Sequence, residues 1–337
     1  YGDVTGTGIL QAGEFTTSFR RLSLYGYDTW RILDSLALTA GISWDEIDLP
    51  ANFRHPPLDA ENHQKRRVSP KAALVWTPND TLTIRGMYSK SLSGLTFDES
   101  YRLEPVQLAG FSQTYRTLIP ESLAGSVSGH HLELAGAALD LKFPTRTYIG
   151  IQGTFGKSDV DRRIGAFIID QGLTRQPPGA ITNLQEKLRY REWSLSGGVH
   201  QLLGDHLVLG VTYGFSHAEL DKGIAGTGLA SSEEADLHSL RSTVTLNFTE
   251  GWFANFALHA LWQTDPIAFA AATPPVSEDQ TFMPIDAEVG WRFPRQRGEI
   301  SMGVMNLLDD DYRLAPLSGL PEFPRQQTVF ARLRMNL

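Results

Sequence analysis

Apolar and polar residues alternate with a period of two along much of the chain, which is the pattern of β-strands with one apolar and one polar face. From Trp252 to Gln263 one set reads Trp252, Ala254, Phe256, Leu258, Ala260 and Trp262. The other reads Phe253, Asn255, Ala257, His259, Leu261 and Gln263. The first set is wholly apolar, with a tryptophan at each end. At roughly 3.3 Å per residue those tryptophans lie about 33 Å apart along the strand. A tilt of about 40° brings this to about 25 Å, the separation of the two aromatic girdles of a membrane barrel.

Other segments repeat the pattern. Leu207, Leu209, Val211, Tyr213 and Phe215 oppose Val208, Gly210, Thr212, Gly214 and Ser216. Met283, Ile285, Ala287, Val289, Trp291 and Phe293 oppose Asp286, Glu288, Gly290 and Arg292, and Leu36, Leu38, Ala40, Ile42 and Trp44 oppose Ala37, Thr39, Gly41 and Ser43. The polar sets are rich in Thr, Ser, Gly and charge, which suits a wet lumen rather than a dry core. Residues 131–143 alternate least well.

Short turn segments such as Asp34-Ser35, Pro78-Asn79-Asp80, Gly204-Asp205 and Glu250-Gly251 carry residues with turn conformations. Between them lie long polar stretches near 47–66, 92–128, 159–187, 219–236, 265–281 and 308–325. So many long loops are foreign to a compact soluble domain. Their alternation with tight turns predicts an all-β, antiparallel transmembrane β-barrel with short periplasmic turns and long extracellular loops. The pattern gives about thirteen clear strands where an even number is usual for such barrels, so either residues 4–14 hold one more, about 14 in all, or upstream strands are missing, which is the favoured reading. Residues 1–337 form one barrel domain, expected to be the C-terminal part of a longer protein.

Composition narrows the function. The 337 residues carry 38 acidic and 30 basic side chains, a net charge of -8, which argues against nucleic-acid binding. There is no cysteine, so disulfide frameworks and thiolate metal sites are excluded. No apolar run reaches the length of a membrane-spanning helix. No nucleophile-elbow motif is present, and Ser194 and Ser196 lie within an alternating strand. The histidines show no metal-ligand grouping. Asp309-Asp310-Asp311 lacks the glycine and distal glutamate of a calcium loop. Gly223 to Gly228 has no helix after it to hold a phosphate. The expectation is a non-enzyme without cofactor or metal.

The chemistry left is on the polar strand faces. Lys71, Arg85, Arg241, Asp286, Glu288, Arg292, Glu299, Arg332 and Arg334 all take lumen-facing positions. There they either set solute selectivity or pair with one another across neighbouring strands. Trp193 at a strand mouth and Phe97, Tyr101, Phe111 and Tyr115 in the longest loop either stack on a ligand or pack the loop.

Several segments resemble the TonB-dependent outer-membrane receptor family. Gly303-Val304-Met305-Asn306-Leu307-Leu308-Asp309-Asp310-Asp311-Tyr312 resembles its penultimate-strand segment, and Pro324-Arg325 leads an alternating final strand as in that family. Ser69-Pro70-Lys71-Ala72-Ala73-Leu74-Val75-Trp76-Thr77-Pro78 is similar to a mid-barrel strand, with Arg85-Gly86-Met87-Tyr88-Ser89 like the strand that follows it. Leu337 stands where the family ends on an aromatic residue, and nothing resembles the family's plug. The resemblance implies uptake of a scarce solute, such as a metal chelate or other nutrient, through extracellular capture loops. It also implies TonB-type energy coupling through a plug, and a place in the cell outer membrane among lipid and lipopolysaccharide. The alternatives are a passive porin and an export or assembly barrel with helical repeats upstream.

Overall fold

A computed structural model of the protein describes residues 18–52, 58–93, 103–113, 129–168, 180–264, 279–294, 297–310 and 326–335. Among them every regular element is a strand. They are β1 (Arg20–Leu33), β2 (Leu36–Asn52), β3 (Asp59–Trp76), β4 (Leu82–Leu92), β5 (Gln107–Leu108), β6 (Phe111–Ser112), β7 (His131–Lys142) and β8 (Thr147–Ile168). They continue as β9 (Ala180–Leu203), β10 (Leu207–Ile224), β11 (Ala230–Asn247), β12 (Trp252–Thr264), β13 (Asp279–Phe282), β14 (Ile285–Arg292), β15 (Gly298–Met305) and β16 (Thr328–Met335). All but β5 and β6 join one 14-stranded sheet in sequence order, each antiparallel to its neighbour. β13 and β14 both pair with β12, and Pro284 sits at the break between them. Proline has no N–H to give to a ladder.

The single sheet has two unlike faces. The outer face carries Leu24, Ile42, Leu74, Ile151, Leu195, Val211, Leu258, Val289, Ile300 and Leu333, all exposed. On β12 the set from Trp252 to Trp262 is outward: both tryptophans, Phe256 and Leu258 are exposed, while Phe253, Ala257, Leu261 and Gln263 are buried. An exposed apolar belt of this extent is foreign to the surface of a water-soluble monomer. Trp44, Tyr88, Phe155, Trp193 and Trp262 mark its upper level, and Trp30, Trp76, Trp252 and Trp291 its lower one. The two edge strands, β1 and β16, each pair on one side only among the described residues. An edge left unpaired in lipid is costly.

Three expected loops are largely strand. β2 and β3 reach into 47–66, β8 and β9 into 159–187, and β10 and β11 leave only a short turn at 225–229. Gly226 and Gly228 have positive φ in that turn, and Thr227 Oγ1 donates to Ile224 O at 2.9 Å. The glycine segment is therefore a turn rather than a flexible loop. The physical reason is that polar strands stay paired beyond the membrane, where only the side-chain pattern, not the ladder, has changed. The weakly alternating 131–143 is β7 in full register with β4 and β8. The candidate strand within 4–14 lies outside the described residues.

β3 stays paired with β4 only from Lys71 to Trp76, and Pro70 lies immediately above the last rung. Beyond it the β2–β3 extension leans over the shorter β4 and β7 and reaches the β8 extension. There Arg163 Nη1 sits 3.1 Å from Asp59 Oδ2 and also pairs with Glu61, while Asn183 Nδ2 donates to Asp59 at 3.0 Å. The backbone N–H of Glu61, and after it Arg163, hold the Asp59 carboxyl below the usual aspartate range. A carboxyl depressed in the folded state stabilises it above its unfolded pKa, about 3.9, and loses that contribution as pH falls through the lower folded value. Hydrogen exchange, corrected for intrinsic rates, is expected to show residues 59–66 equally protected from neutral pH to mildly acidic pH. Protection there should fall below about pH 4, before the β8–β9 ladder near Leu195 loosens.

Candidate functional site

All nine charged residues singled out from the sequence lie on the inner face, and they form two groups. The first is on β3 and β4. Lys71 stands in register with Gly41 on one side and Ser89 on the other, so neither neighbour offers it a carboxylate. Its partner is Glu104, from the connection between β4 and β7. Arg85 holds Asp140 of β7 with Nε–Oδ2 at 2.7 Å and donates from Nη1 to Ala109 O at 2.9 Å.

Glu104 and Ala109 belong to a segment that the sequence assigned to an outer loop. Residues 103–113 instead descend along the inner face and form the β5–β6 hairpin. The hairpin turns at Ala109 and Gly110, with φ of 50° and 84°. Positive φ at both central residues makes this the turn whose twist matches antiparallel strands. Gln113 N donates to Val106 O at 2.9 Å, and Gln113 Nε2 to Pro105 O at 2.8 Å. Tyr27 Oη donates to Glu104 Oε1 at 2.6 Å, and Tyr25 Oη to Leu103 O at 3.0 Å. Leu108 and Phe111 are buried against Ala73, Met87 and Ala138. Phe111 thus packs the loop to the wall. Phe97, Tyr101 and Tyr115 lie outside the described residues.

The second group is on β11 to β16. Asp286 Oδ2 lies 3.2 Å from His259 Nε2 and Oδ1 accepts from Asn306 N at 3.0 Å. Glu288 takes Arg332, and Asn255 Nδ2 at 3.1 Å. Glu299 lies between Arg292 at 3.8 Å and Arg334 at 3.7 Å. Arg241 faces His259 across the β11–β12 ladder and has no carboxylate partner among the described residues. Five of the nine thus pair with one another, Lys71, Arg85 and Asp286 pair with Glu104, Asp140 and His259, and Arg241 has no ion pair among the described residues. The pairs are unequal in weight. The Arg334 side chain is 62% exposed and that of Arg332 46%, and such pairs contribute about 0–1 kcal/mol. Lys71 and Glu104 are 0% and 6% exposed, and breaking a buried pair on one side costs about 3–5 kcal/mol.

One arrangement recurs along this wall. An inward-facing glycine is covered by an aromatic ring, and a cation rides over that ring. Tyr27 lies over Gly41 with Lys71 at 5.8 Å from the ring centre, and Phe111 over Gly136 with Arg85 at 5.4 Å. Phe253 lies over Gly290 with Arg292 at 4.3 Å, and Phe330 over Gly303 with Arg332 at 5.9 Å. In three of these the ring and glycine are directly paired across a ladder. In the fourth the ring comes from the hairpin. Rings laid flat on glycine fill the sheet face without projecting into the lumen, and the overlying cation gains a cation–π contact. The sequence signal was visible as glycines among polar positions, but not which ring each would meet.

Of two further residues, Trp193 is reassigned and Ser194 keeps the strand polar role read from the sequence. Trp193 is on the outer face, edge-on to Phe215 with centroids 4.9 Å apart, so it belongs to the upper aromatic level and not to a ligand site. Ser194 Oγ lies 2.6 Å from Thr154 Oγ1 as an inner-face polar pair. In the acidic run Asp309 accepts Gln327 N at 2.8 Å, and Asn306 Nδ2 donates to Asp310 O at 2.8 Å. These bonds tie the end of β15 to the start of β16. Asp311 lies outside the described residues. Above the upper aromatic level a cavity of ≈ 600 Å³ opens between the β3 and β8 extensions. Cations and carboxylates line it together, among them Lys65, Arg67, Glu133 and Asp159.

The sheet has counterparts among known proteins. Residues 1–125 match the family model described as TonB dependent receptor-like, β-barrel. The FrpB iron transporter of Neisseria meningitidis has the same fold, with a TM-score of 0.55 at 14% identity over 94% of this chain and 45% of that one. The closed form of the ferric-catecholate import receptor Fiu of E. coli gives a TM-score of 0.51 at 10% identity, covering 85% of this chain and 48% of that one. The chain thus spans less than half the length of these receptors. No curated protein matches the sequence. The fold is that of an outer-membrane β-barrel, and both charge groups lie on the sheet face opposite the exposed apolar belt.

Two substitutions test the wall. Lys71→Ala breaks the buried Lys71–Glu104 pair on one side and is expected to lower unfolding stability by about 3–5 kcal/mol, whereas the paired change Lys71→Met with Glu104→Gln should cost markedly less. Urea titration of the barrel in lipid vesicles measures both. Gly290→Val drives a Cβ and methyls into Phe253 and the Ile300 carbonyl, and by overpacking it should cost about 1–3 kcal/mol in the same titration.

Proposed function

We propose that this chain is the wall of an energised uptake receptor for a scarce solute in the outer membrane. The observation that carries this is the match of residues 1–125 to a receptor-type barrel model, together with a polar, charge-bearing face opposite the apolar belt. The apolar outer face is the lipid contact, its aromatic levels sit at the two headgroup regions, and lipopolysaccharide is the outer neighbour. Solute capture falls to the outer connections, energy coupling to a plug engaged by a TonB-type complex, and the paired inner charges to keeping the lumen hydrated. A metal chelate is the solute class favoured, because both similar receptors are titled as iron or ferric-catecholate importers. No bond is made or broken on this reading, and the inner serines and histidines serve packing and pairing.

The full-length protein in its native outer membrane is the object to test. Cells dependent on it should accumulate radiolabelled iron supplied as a ferric catecholate, and a protonophore should abolish that accumulation. Deleting 114–128 together with 169–179 should remove accumulation while leaving the heat-modifiable barrel band on a gel. Accumulation that persists with the protonophore would replace this reading with passive diffusion.

A further inference from the structure

We propose that the cavity between the β3 and β8 extensions binds a zwitterionic lipid headgroup of the outer leaflet, a phosphate ester that also carries a primary amine. The proposal is independent of solute uptake and rests on how the sheet overlaps itself above the upper aromatic level. Lys65 and Arg67 alternate with Lys71 along β3 and so continue its inner face. Lys157, Asp159 and Asp161 alternate with the exposed Phe155 along β8 and continue its outer face, as do the ladder partners Glu133 and His131 on β7. These two sets nevertheless line one cavity of ≈ 600 Å³. The inner side of β3 therefore laps over the outer side of β7 and β8, and the cavity is the gap between the two layers. Arg163, through Asp59 and Glu61, clasps the layers together at the far end. At the near end Arg67 adjoins Val68, the ladder partner of Trp44, and Lys157 is two residues from Phe155. The gap thus lies at the headgroup level of the outer leaflet, where aromatic side chains mark the interface. Its volume is within the about 300–1,000 Å³ of small-molecule sites.

Charge in this gap is sorted by layer. Glu133 is already engaged: it accepts from Tyr88 Oη at 2.6 Å and lies 3.1 Å from Lys157 and 3.6 Å from Lys90. Arg66 is held by Glu46 at 2.8 Å. Beside His131, the charged groups left on the lining are Lys65, Arg67, Asp159 and Asp161. Half-buried Arg67 forms no ion pair or hydrogen bond among the described residues, and Lys65 gives one N–H to Gly129 O at 2.9 Å. Across the gap Asp159 and Asp161 are likewise without an ion pair among the described residues. The two layers sense each other without touching. Burial lowers the Lys65 pKa, and Asp161 pulls it part of the way back. Two cations on one layer and two carboxylates on the other match a ligand that is itself divided, phosphate toward β3 and ammonium toward β8. Arginine suits the phosphate end, because its fork meets two phosphate oxygens at once. Carboxylates suit the amine, whose N–H groups all require acceptors. A headgroup that is only anionic meets Asp159 and Asp161 as repulsion, so recognition depends on both ends together.

The test uses the full-length protein, purified in detergent from native outer membranes. Native mass spectrometry reads the lipid it retains after exchange with an equimolar mixture of phosphatidylethanolamine and phosphatidylglycerol. Retained phosphatidylethanolamine should exceed phosphatidylglycerol severalfold. Lys65→Gln with Arg67→Gln should bring it down to the phosphatidylglycerol level. Asp159→Asn with Asp161→Asn should reverse the preference, because only the cations then remain to select a headgroup. Such a reversal is a gain that misfolding does not produce. Free O-phosphoethanolamine, added at the concentration of the lipids, should leave the retained lipid unchanged. Displacement by it would assign the cavity to a soluble zwitterion and overturn the lipid proposal. Equal retention of the two lipids, or a preference that both double variants leave intact, would overturn it as well.

Discussion

The ladder of backbone hydrogen bonds running from β1 to β16 is the constraint on which everything else in this protein depends. A single layer has no second sheet to hide behind, so each strand residue must serve either the outer face or the inner one. That is why the apolar set on β12 runs unbroken from Trp252 to Trp262 while its neighbours are Asn255, His259 and Gln263. It is also why charge appears inside, where partners on the next strand stand about 5 Å away and can be reached. Once the ladder fixes the register, which arginine meets which glutamate follows.

The inner face solves a second problem, which is how to carry large rings and cations without blocking the space they surround. Glycine at the facing position lets a ring lie down on the sheet, and the cation above it shares the ring and a nearby carboxylate. Phe330 on Gly303 beneath Arg332, with Glu288 as the carboxylate, shows the whole arrangement on three adjacent strands. The hairpin borrows the same solution. Phe111 takes its place on Gly136 as a residue of a neighbouring strand would, although it arrives from a connection and not from the ladder.

Much of this was legible in the sequence because a period of two survives any uncertainty about tertiary contacts. Strand identity and the face that each position takes follow from it, whereas the alternation that runs from Met283 to Phe293 did not reveal the break at Pro284 between β13 and β14. Loop lengths were less legible. Leu188, Tyr190 and Leu220 extend strands beyond the upper aromatic level, where polar neighbours such as Arg191 and Glu219 mask the alternation. The hairpin was not legible as such, because its position depends on long-range demands. The signal that was available lay elsewhere: Lys71 is flanked in register by Gly41 and Ser89, so its counter-charge had to come from outside the wall. Reading that gap requires the register, which sequence alone does not supply.

The ladder is also uneven. β8 and β9 are paired continuously from Thr147↔Gln201 to Ile168↔Ala180, whereas β3 and β4 share only the rungs from Lys71↔Ser89 to Trp76↔Ile84. A short seam between long, stiff hairpins is where a sheet flexes when pulled or twisted. The β5–β6 hairpin lies across that seam, gripping β3 through Glu104 and β4 through Ala109, with Phe111 anchored beyond it on β7. In mechanical terms it is a splint. Twisting of the wall at this point loads the Lys71 and Arg85 contacts first, so the compliance of the barrel here is set by a loop and not by the strands it joins.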